Sequence, residues 1–448
     1  MSKENQVRVR MAPSPTGNLH VGTAHTTLFN YLFARKHGGV FLMRIEDTDK
    51  ERSKKEFENN ILEGFSWLGI TYDALYRQSE RTELYRSYLK KALDGGQAFI
   101  SREPKKDGEG EVEVVRLHNP GKKIIFEDII RGPIAVDTGE LGDFVIARSI
   151  DDPLYHFAVV VDDYDMGITH IIRAEDHISN TPRQILIQEA LGIERPLYAH
   201  LPLILAPDRS KLSKRHGAVS ISEYKTQGFL PEALVNYLVL LGWHPQDDRE
   251  IFSLAQAVEM FDLTRVQKGG AIFDIQKLRS INEQYLHACS DDDFLTQARP
   301  YLPDSLLSLP LYSDETLRHI VPLLKERVHV LSDITALSES GDLDYFFSSP
   351  TIDTHALPWK QEGKEVAHEH LRKLGELIAR VPRDNFTKDT VKSAVWEYVE
   401  EEGKGSVLWP LRYALSGKEK SPDPFTLAEI FGKEETLGRL TGAIHSVE

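Results

Sequence analysis

The apolar positions change period along the chain. Residues 7–11 alternate apolar and polar and run into Pro13-Ser14-Pro15-Thr16-Gly17, which predicts a strand breaking into a loop. From 21 to 36 the spacing is helical, and Gly38-Gly39 supplies the stop. Residues 40–45 are apolar enough for a buried strand, closed by Glu46-Asp47-Thr48-Asp49, and a helix is predicted over 54–68. Strand, loop, helix, strand, acidic loop, helix is the start of a parallel α/β sheet. Ligands bind such sheets beyond the carboxyl ends of the strands. The loops 13–20 and 46–49 both fall there.

A helix predicted over 80–93 ends at Gly95-Gly96. Residues 102–123 are charged and carry glycine, which predicts a loop or an irregular hairpin. Residues 126–136, 142–150 and 156–161 read as strands, so this region is expected to be an α+β insertion. The α/β pattern resumes with a strand at 168–173, a helix at 181–191 and a strand near 202–205, followed by a basic loop at 208–217. Beyond 224 the period is helical, over 231–241, 254–261, 274–285, 314–327, 364–381, 388–402 and 424–431. Residues 303–310 and 338–350 read as linkers or inter-helix loops.

At 448 residues the chain should hold two to four domains, and 41% hydrophobic with 27% charged residues is a globular balance. Its 54 Lys and Arg against 69 Asp and Glu give −15, which argues against a wholly basic nucleic-acid binder but not against a local basic strip. With Cys289 alone there is neither a disulfide framework nor a cysteine-based zinc site within one chain. Residues 1–6 lack the apolar core of a signal peptide, and the longest apolar stretch, 233–243, is shorter than the roughly 20 residues that cross a bilayer. The expectation is a soluble cytoplasmic protein with no membrane contact.

Two constellations carry chemistry. In Arg10-Met11-Ala12-Pro13-Ser14-Pro15-Thr16-Gly17-Asn18-Leu19-His20-Val21-Gly22-Thr23, the prolines fix the loop and Gly17 and Gly22 let backbone approach a ligand. His20 lies at the mouth of a helix, where unpaired N–H groups favour phosphate. In Lys211-Leu212-Ser213-Lys214-Arg215, two lysines three apart make a cationic loop that can neutralise a transferring phosphoryl group. Alone, a His-x-Gly is more often a turn with a surface histidine, and a basic pentapeptide a solvated run. The pair, each at a sheet edge, is much harder to obtain by chance. Asp162-Asp163 after 159–161 could suggest a metal site, but no third oxygen ligand is evident, so a structural or partner-facing loop is preferred. His156 either tunes a pocket or packs.

His20-Val21-Gly22-Thr23 and Lys211-Leu212-Ser213-Lys214-Arg215 resemble the two signature motifs of class I aminoacyl-tRNA synthetases. Residues 12–17, 44–49, 155–163, 166–191, 229–242, 261–285 and 410–417 are similar to bacterial glutamyl-tRNA synthetase. The resemblance is weak only over 99–125 and parts of 286–400. It implies a Rossmann-like class I catalytic domain (1–79 and 180–225) split by an α+β acceptor-binding insertion (80–179). A helical stem-contact domain (226–320) and an α-helical anticodon-binding cage (321–448) follow, giving an α/β plus all-α chain. It also implies that Arg10, Ala12, Ser14, Tyr155 and Arg173 surround the substrate carboxylates, with Glu46 at the ammonium. Read from the residues alone, Arg173 and Glu46 could equally be a structural salt bridge. For ATP it implies Gly17, His20, Gly22, Thr23, Lys211, Leu212, Ser213 and Lys214, with His20, Lys211 and Lys214 catalytic. Trp409 and Arg412 are candidates for tRNA contact, helix packing being the competing role for Trp409.

The implied substrates are L-glutamate, ATP with Mg²⁺, and tRNA(Glu), handled by a monomer; a non-discriminating enzyme that also glutamylates tRNA(Gln) is the alternative. Family members often carry cysteine pairs and zinc in the insertion; here residues 99–104 contain no cysteine, so no structural zinc is expected. The turn 149–152, Ser-Ile-Asp-Asp, also departs from the usual pattern. Ser14-Pro15-Thr16-Gly17 and Asp49 argue against a glutaminyl enzyme, and the helical C-terminal third argues against both a truncated anticodon-modifying relative and a small nucleotidyltransferase. A non-catalytic RNA-binding paralogue is disfavoured by intact His20 and Lys214.

Overall fold

The strand that breaks at the proline loop is β1, Arg8–Met11; helix α1 follows at Val21–Lys36 and β2 at Val40–Ile45. The computed structural model describes residues 6–104, 110–213 and 220–446, in two compact units, Met1–Asn282 and Glu283–Glu448. α1 starts where His20 caps it, the imidazole Nδ1 accepting from the Gly22 N–H at 3.1 Å, and stops at Gly38, whose φ of +58° suits glycine. Helix α2 (Lys55–Trp67) leads to β3 (Ala74–Arg77), and β1, β2 and β3 pair in parallel.

Helix α3 (Thr82–Asp94) follows. Residues 102–123 are more regular than expected: β4 (Ala98–Pro104) pairs antiparallel with β5 (Glu111–Leu117) from Ala98↔Leu117 to Pro104↔Glu111. The single predicted strand 126–136 is a hairpin of β6 (Lys123–Asp128) and β7 (Gly132–Asp137). β8 (Phe144–Ser149) joins β5, and β9 (Asp152–Pro153) joins β8.

The predicted strand 156–161 is instead helix α4, Tyr155–Asp165. Its β-branched run misled because every residue from Phe157 to Asp163 is buried. A short helix covered on all sides shows no 3.6-residue period to separate it from a buried strand. Asp162 and Asp163 are therefore core residues and not a loop.

β10 (His170–Ala174), α5 (Thr181–Leu191) and β11 (Leu197–Leu201) restore the parallel pattern, with Arg173 beside His200 in register. Thr169 N–H donates to Arg8 O at 2.9 Å, which joins β1 to the start of β10. Asn30 of α1 donates to Ile172 O at 3.0 Å. The carboxyl ends of β1, β2 and β10 thus meet on one edge. β12 (Ile204–Leu205) precedes α6 (Ile221–Thr226), α7 (Pro231–Leu240) and α8 (Leu254–Met260). The all-helical expectation beyond 224 misses β13 (Ala271–Ile272), a two-residue strand parallel to β12. Helix α9 covers Ile275–Ala288.

The second unit is helical: α10 (Asp291–Ala298), α11 (Asp304–Leu307), α12 (Asp314–Lys325), α13 (Asp333–Glu339), α14 (Asp344–Phe347), α15 (Lys364–Ile378), α16 (Lys388–Glu402), α17 (Lys404–Ser416) and α18 (Pro424–His445). Residues 338–350 are not a linker, because α14 buries Tyr345, Phe346 and Phe347 in the unit's core. No helix among the described residues is long and apolar enough to cross a membrane.

Candidate active site

Beyond the ends of β1, β2 and β10 lies a cleft of about 260 Å³. A second hollow adjoins it along the 13–19 loop, sharing Ala12, Glu46, Tyr155 and His177. Arg10, Ala12, Glu46, Tyr155 and Arg173 line the first cleft, as do His20, Gly22, Thr23, Lys211 and Leu212. Ser14 and Gly17 line the second. Ser213 follows Leu212, half-buried, as the last described residue of its loop; Lys214 lies outside the described residues. The structure therefore gathers sequence-distant candidates at the sheet edge. Trp409 and Arg412 belong to α17 in the other unit. There Trp409 Nε1 donates to Ala356 O at 3.0 Å, and Arg412 donates to Glu419 O at 2.7 Å with its guanidinium 4.9 Å over the Trp409 ring.

Arg10 is buried and meets Asp163 side-on, Nε to Oδ1 at 3.1 Å and Nη2 to Oδ2 at 3.4 Å. Its Nη1 makes no hydrogen bond among the described residues. Glu46 accepts from Arg44 Nη2 at 3.2 Å. Burial pushes the Glu46 carboxyl up to about 7, although Arg44 and Arg10 pull it down. Arg173 differs from the other two guanidinium groups: its partners are all neutral. Nε donates to His200 Nε2 at 3.2 Å, Nη1 to Gln184 Oε1 at 2.8 Å and Nη2 to Thr181 Oγ1 at 2.7 Å. Burial lowers its pKa from the ordinary arginine value, and nearby Arg10 adds to this. A guanidinium stays protonated under such a shift, so the cleft holds a desolvated cation with no carboxylate bonded to it. Tyr155 lines the same cleft, its phenol pushed up to about 12 by burial and by Glu46.

Where α1 meets the cleft, His20 presents its Nδ1 to the first turn of the helix, as the cap requires. Lys211 Nζ reaches Asp176 Oδ2 at 2.8 Å. Burial opposes ionisation of Asp176, yet Lys211 holds its carboxyl below the usual range. Among the described residues no cluster of His, Cys, Asp and Glu could hold a metal ion.

Several residues of the site escaped the sequence reading, and Asp163 reads there as part of a loop. Asp163 and Arg44 sit behind Arg10 and Glu46. Asp128 and His200 sit behind Arg173, with His200 Nδ1 2.6 Å from Asp128 Oδ2. Asp176 and His177 line the cleft. Asp128 and Asp163 lie 72 and 153 residues from the partners they bind, so no local pattern announces them. His156 lines neither hollow, and burial together with Arg183 pushes it down to about 4.

This fold is that of a class I tRNA synthetase. The family model for tRNA synthetases class I (E and Q), catalytic domain, matches residues 6–109 and 101–280, and an anticodon binding domain model matches 293–444. The chain belongs to this family, whose members are ATP-using ligases. It is 42% identical to glutamate–tRNA ligase 1 of Caldanaerobacter subterraneus subsp. tengcongensis, over 99% of this chain and 98% of that one. It is 40% identical to the glutamate–tRNA ligase of Desulforamulus reducens, over 98% and 99%. The crystal structure of a glutamate tRNA ligase from Elizabethkingia meningosepticum, in complex with its amino acid, superposes with a TM-score of 0.88 at 32% identity, covering 99% of this chain and all of that one.

Proposed function

We propose that this chain activates L-glutamate with ATP and transfers it to the 3′-terminal adenosine of tRNA(Glu). The observation that carries this reading is the charge pattern of the cleft. Arg10 and Arg173 face Glu46, two cations against one carboxylate, which is the inverse of glutamate's two carboxylates and one ammonium. Lys211 and Asp176 cancel each other, so the ionised cleft carries one net positive charge against one net negative charge on the amino acid.

Glutamate's α-carboxylate attacks the α-phosphorus of ATP, releasing pyrophosphate and leaving glutamyl-adenylate. The terminal adenosine then attacks the activated carbonyl and AMP leaves. The chain's work is positioning and charge stabilisation. Arg10, Tyr155 and Arg173 orient the carboxylates beside Ala12 and Ser14, and Glu46 takes the ammonium. Gly17, Gly22, Thr23, Leu212 and Ser213 shape the nucleotide site. His20, Lys211 and Lys214 meet the phosphates in the transition state. Mg²⁺ would accompany ATP, held mostly by phosphates and water. The five-segment division given above is the reading we carry for tRNA contact, with Arg412 and Trp409 near the anticodon. We place the enzyme in the cytoplasm as a monomer.

The test is aminoacylation with labelled glutamate and ATP on purified tRNA(Glu) and tRNA(Gln) in parallel, wild type beside Lys214→Ala. Charging of tRNA(Glu) by wild type, with kcat down roughly 100- to 1,000-fold in the variant, supports the reading. Charging of both tRNAs identifies a relaxed acceptor choice. A folded protein that charges neither overturns it.

A further inference from the structure

Two buried residues behind the cleft do not line it, yet both hold residues that do. Asp163 Oδ1 accepts from Arg10 Nε at 3.1 Å and from Arg44 Nη1 at 2.7 Å. Arg44 passes on to Glu46 Oε1 at 3.2 Å. The charges alternate along one line: Arg10, Asp163, Arg44, Glu46. The ends of that line lie in the cleft and its middle does not. Every side chain in it is at most 6% exposed.

Helix α4 supports the middle. The neighbouring Asp162 is fully buried and binds Arg81 at 2.7 Å, Gln78 at 2.8 Å and the Tyr85 hydroxyl at 2.9 Å. This pins the helix to the start of α3. Asp163, one residue on, is thereby fixed by the fold and not by the pocket. Arg44 itself comes from β2, whose register sets Glu46 one step past the strand end. A salt bridge between the pocket's own cation and anion would serve stability equally well, but it would close the site. Inserting Asp163 and Arg44 between them keeps Arg10 and Glu46 apart, each held by an opposite charge at its rear, with Arg10 Nη1 and Glu46 Oε2 unbonded among the described residues.

We propose that Asp163 and Arg44 are positioning residues that set the distance between the cation and the anion which read the amino acid. The proposal rests on the glutamate reading above. Neither group touches substrate. Their effect runs through Arg10 and Glu46, so it should appear in glutamate recognition and leave ATP recognition alone. Asp163→Asn keeps the shape and removes the charge, leaving Arg44 only Asp162, 3.5 Å from its Nε, to balance the pull of Glu46. Asp163→Glu keeps the charge but pushes Arg10 and Arg44 outward by one methylene.

The experiment measures the KM of wild type and both variants for glutamate and, separately, for ATP in aminoacylation of tRNA(Glu), after thermal melting has confirmed folding. We expect KM for glutamate to rise roughly ten- to hundred-fold in both variants, KM for ATP to change less than about three-fold, and kcat at saturating glutamate to be largely retained. If Asp163→Asn does not fold, Asp163→Glu decides the matter alone. A variant that folds with both Michaelis constants at wild-type values, or with both raised together, overturns the positioning role and leaves Asp163 a structural ion pair. A wild type that charges no tRNA overturns the functional reading instead, so the two failures are distinguishable.

Discussion

Arg173 donates its Nε–H to Nε2 of His200 at 3.2 Å, which requires the imidazole to be neutral with its proton on Nδ1, facing Asp128. Asp128 is held in turn by its other oxygen, Oδ1, which accepts the Ile130 and Arg131 N–H groups at 3.0 and 2.9 Å. In Asp128→Asn those two donors would keep the amide oxygen, so the amide nitrogen would face His200 and force its proton onto Nε2. Two N–H groups would then oppose each other at Arg173. A lost hydrogen bond to a charged group is worth about 2 kcal/mol, or roughly 30-fold. We expect KM for glutamate to rise by that factor, with ATP unaffected. Unchanged glutamate kinetics would refute the tautomer assignment.

Glutamate binding should release protons near neutrality. Burial raises the free Glu46 carboxyl to about 7, so close to half the molecules carry a proton there at pH 7. An arriving ammonium favours the carboxylate, which lowers this pKa and expels the proton. Calorimetric titration with L-glutamate in two buffers of different ionisation enthalpy should give about half a proton released per site at pH 7, falling toward zero by pH 9. The same heat in both buffers at pH 7 would rule out the mechanism.

Acid should destabilise the first unit through His25. This residue is buried, its Nε2 2.7 Å from Leu241 O, and burial pushes it down to about 4 despite that bond. The unfolded chain titrates near the ordinary value of 6.5, so between 6.5 and 4 it binds more protons than the folded one. Stability is therefore full above 6.5 and falls as pH drops, by about 3 kcal/mol at this site once pH passes below 4. Urea midpoints of wild type and His25→Gln between pH 7 and pH 4 should show a shallower decline in the variant. Parallel declines would remove His25 as the cause.

Gly64 supports the His20 loop sterically. A Cβ there would lie 2.6 Å from Leu19 Cδ2, and Leu19 is 1% exposed with its N–H bonded to Asn60 Oδ1 at 2.8 Å. Gly64→Ala gains about 1 kcal/mol of helix propensity but overpacks a closed site, at a cost of about 1–3 kcal/mol. Overpacking should win, lowering the melting temperature and lowering kcat more than it raises KM for glutamate, since Leu19 precedes His20. A more stable variant with normal kcat would contradict this.

The parts legible in the sequence were those with local causes. Capping, glycine stops and helical period put α1 and α5 at the residues the pattern predicts, and the two motif loops at the sheet edge. What stayed hidden depended on burial and distance. α4 reads as a strand because all its sides are covered. The aromatic residues of α14 read as a linker because proline and serine surround a single turn. Arg10, Glu46 and Arg173 could be named as candidates, but not the groups that hold them. Asp163 and Asp128 become partners only when α4 and β6 fold against distant strands.

His20 caps α1 through Nδ1, a duty separate from the phosphate contact proposed for it. Asparagine caps helices at least as well, and one nucleotide change turns a histidine codon into an asparagine codon. Such a chain should fold normally while losing the imidazole's other nitrogen. On the phosphate role proposed for His20, inactivation at this position is uncoupled from loss of protein. In a cell carrying both forms, the dead one would accumulate to full abundance and sequester tRNA. The lesion would therefore behave genetically as dominant interference and not as a simple null.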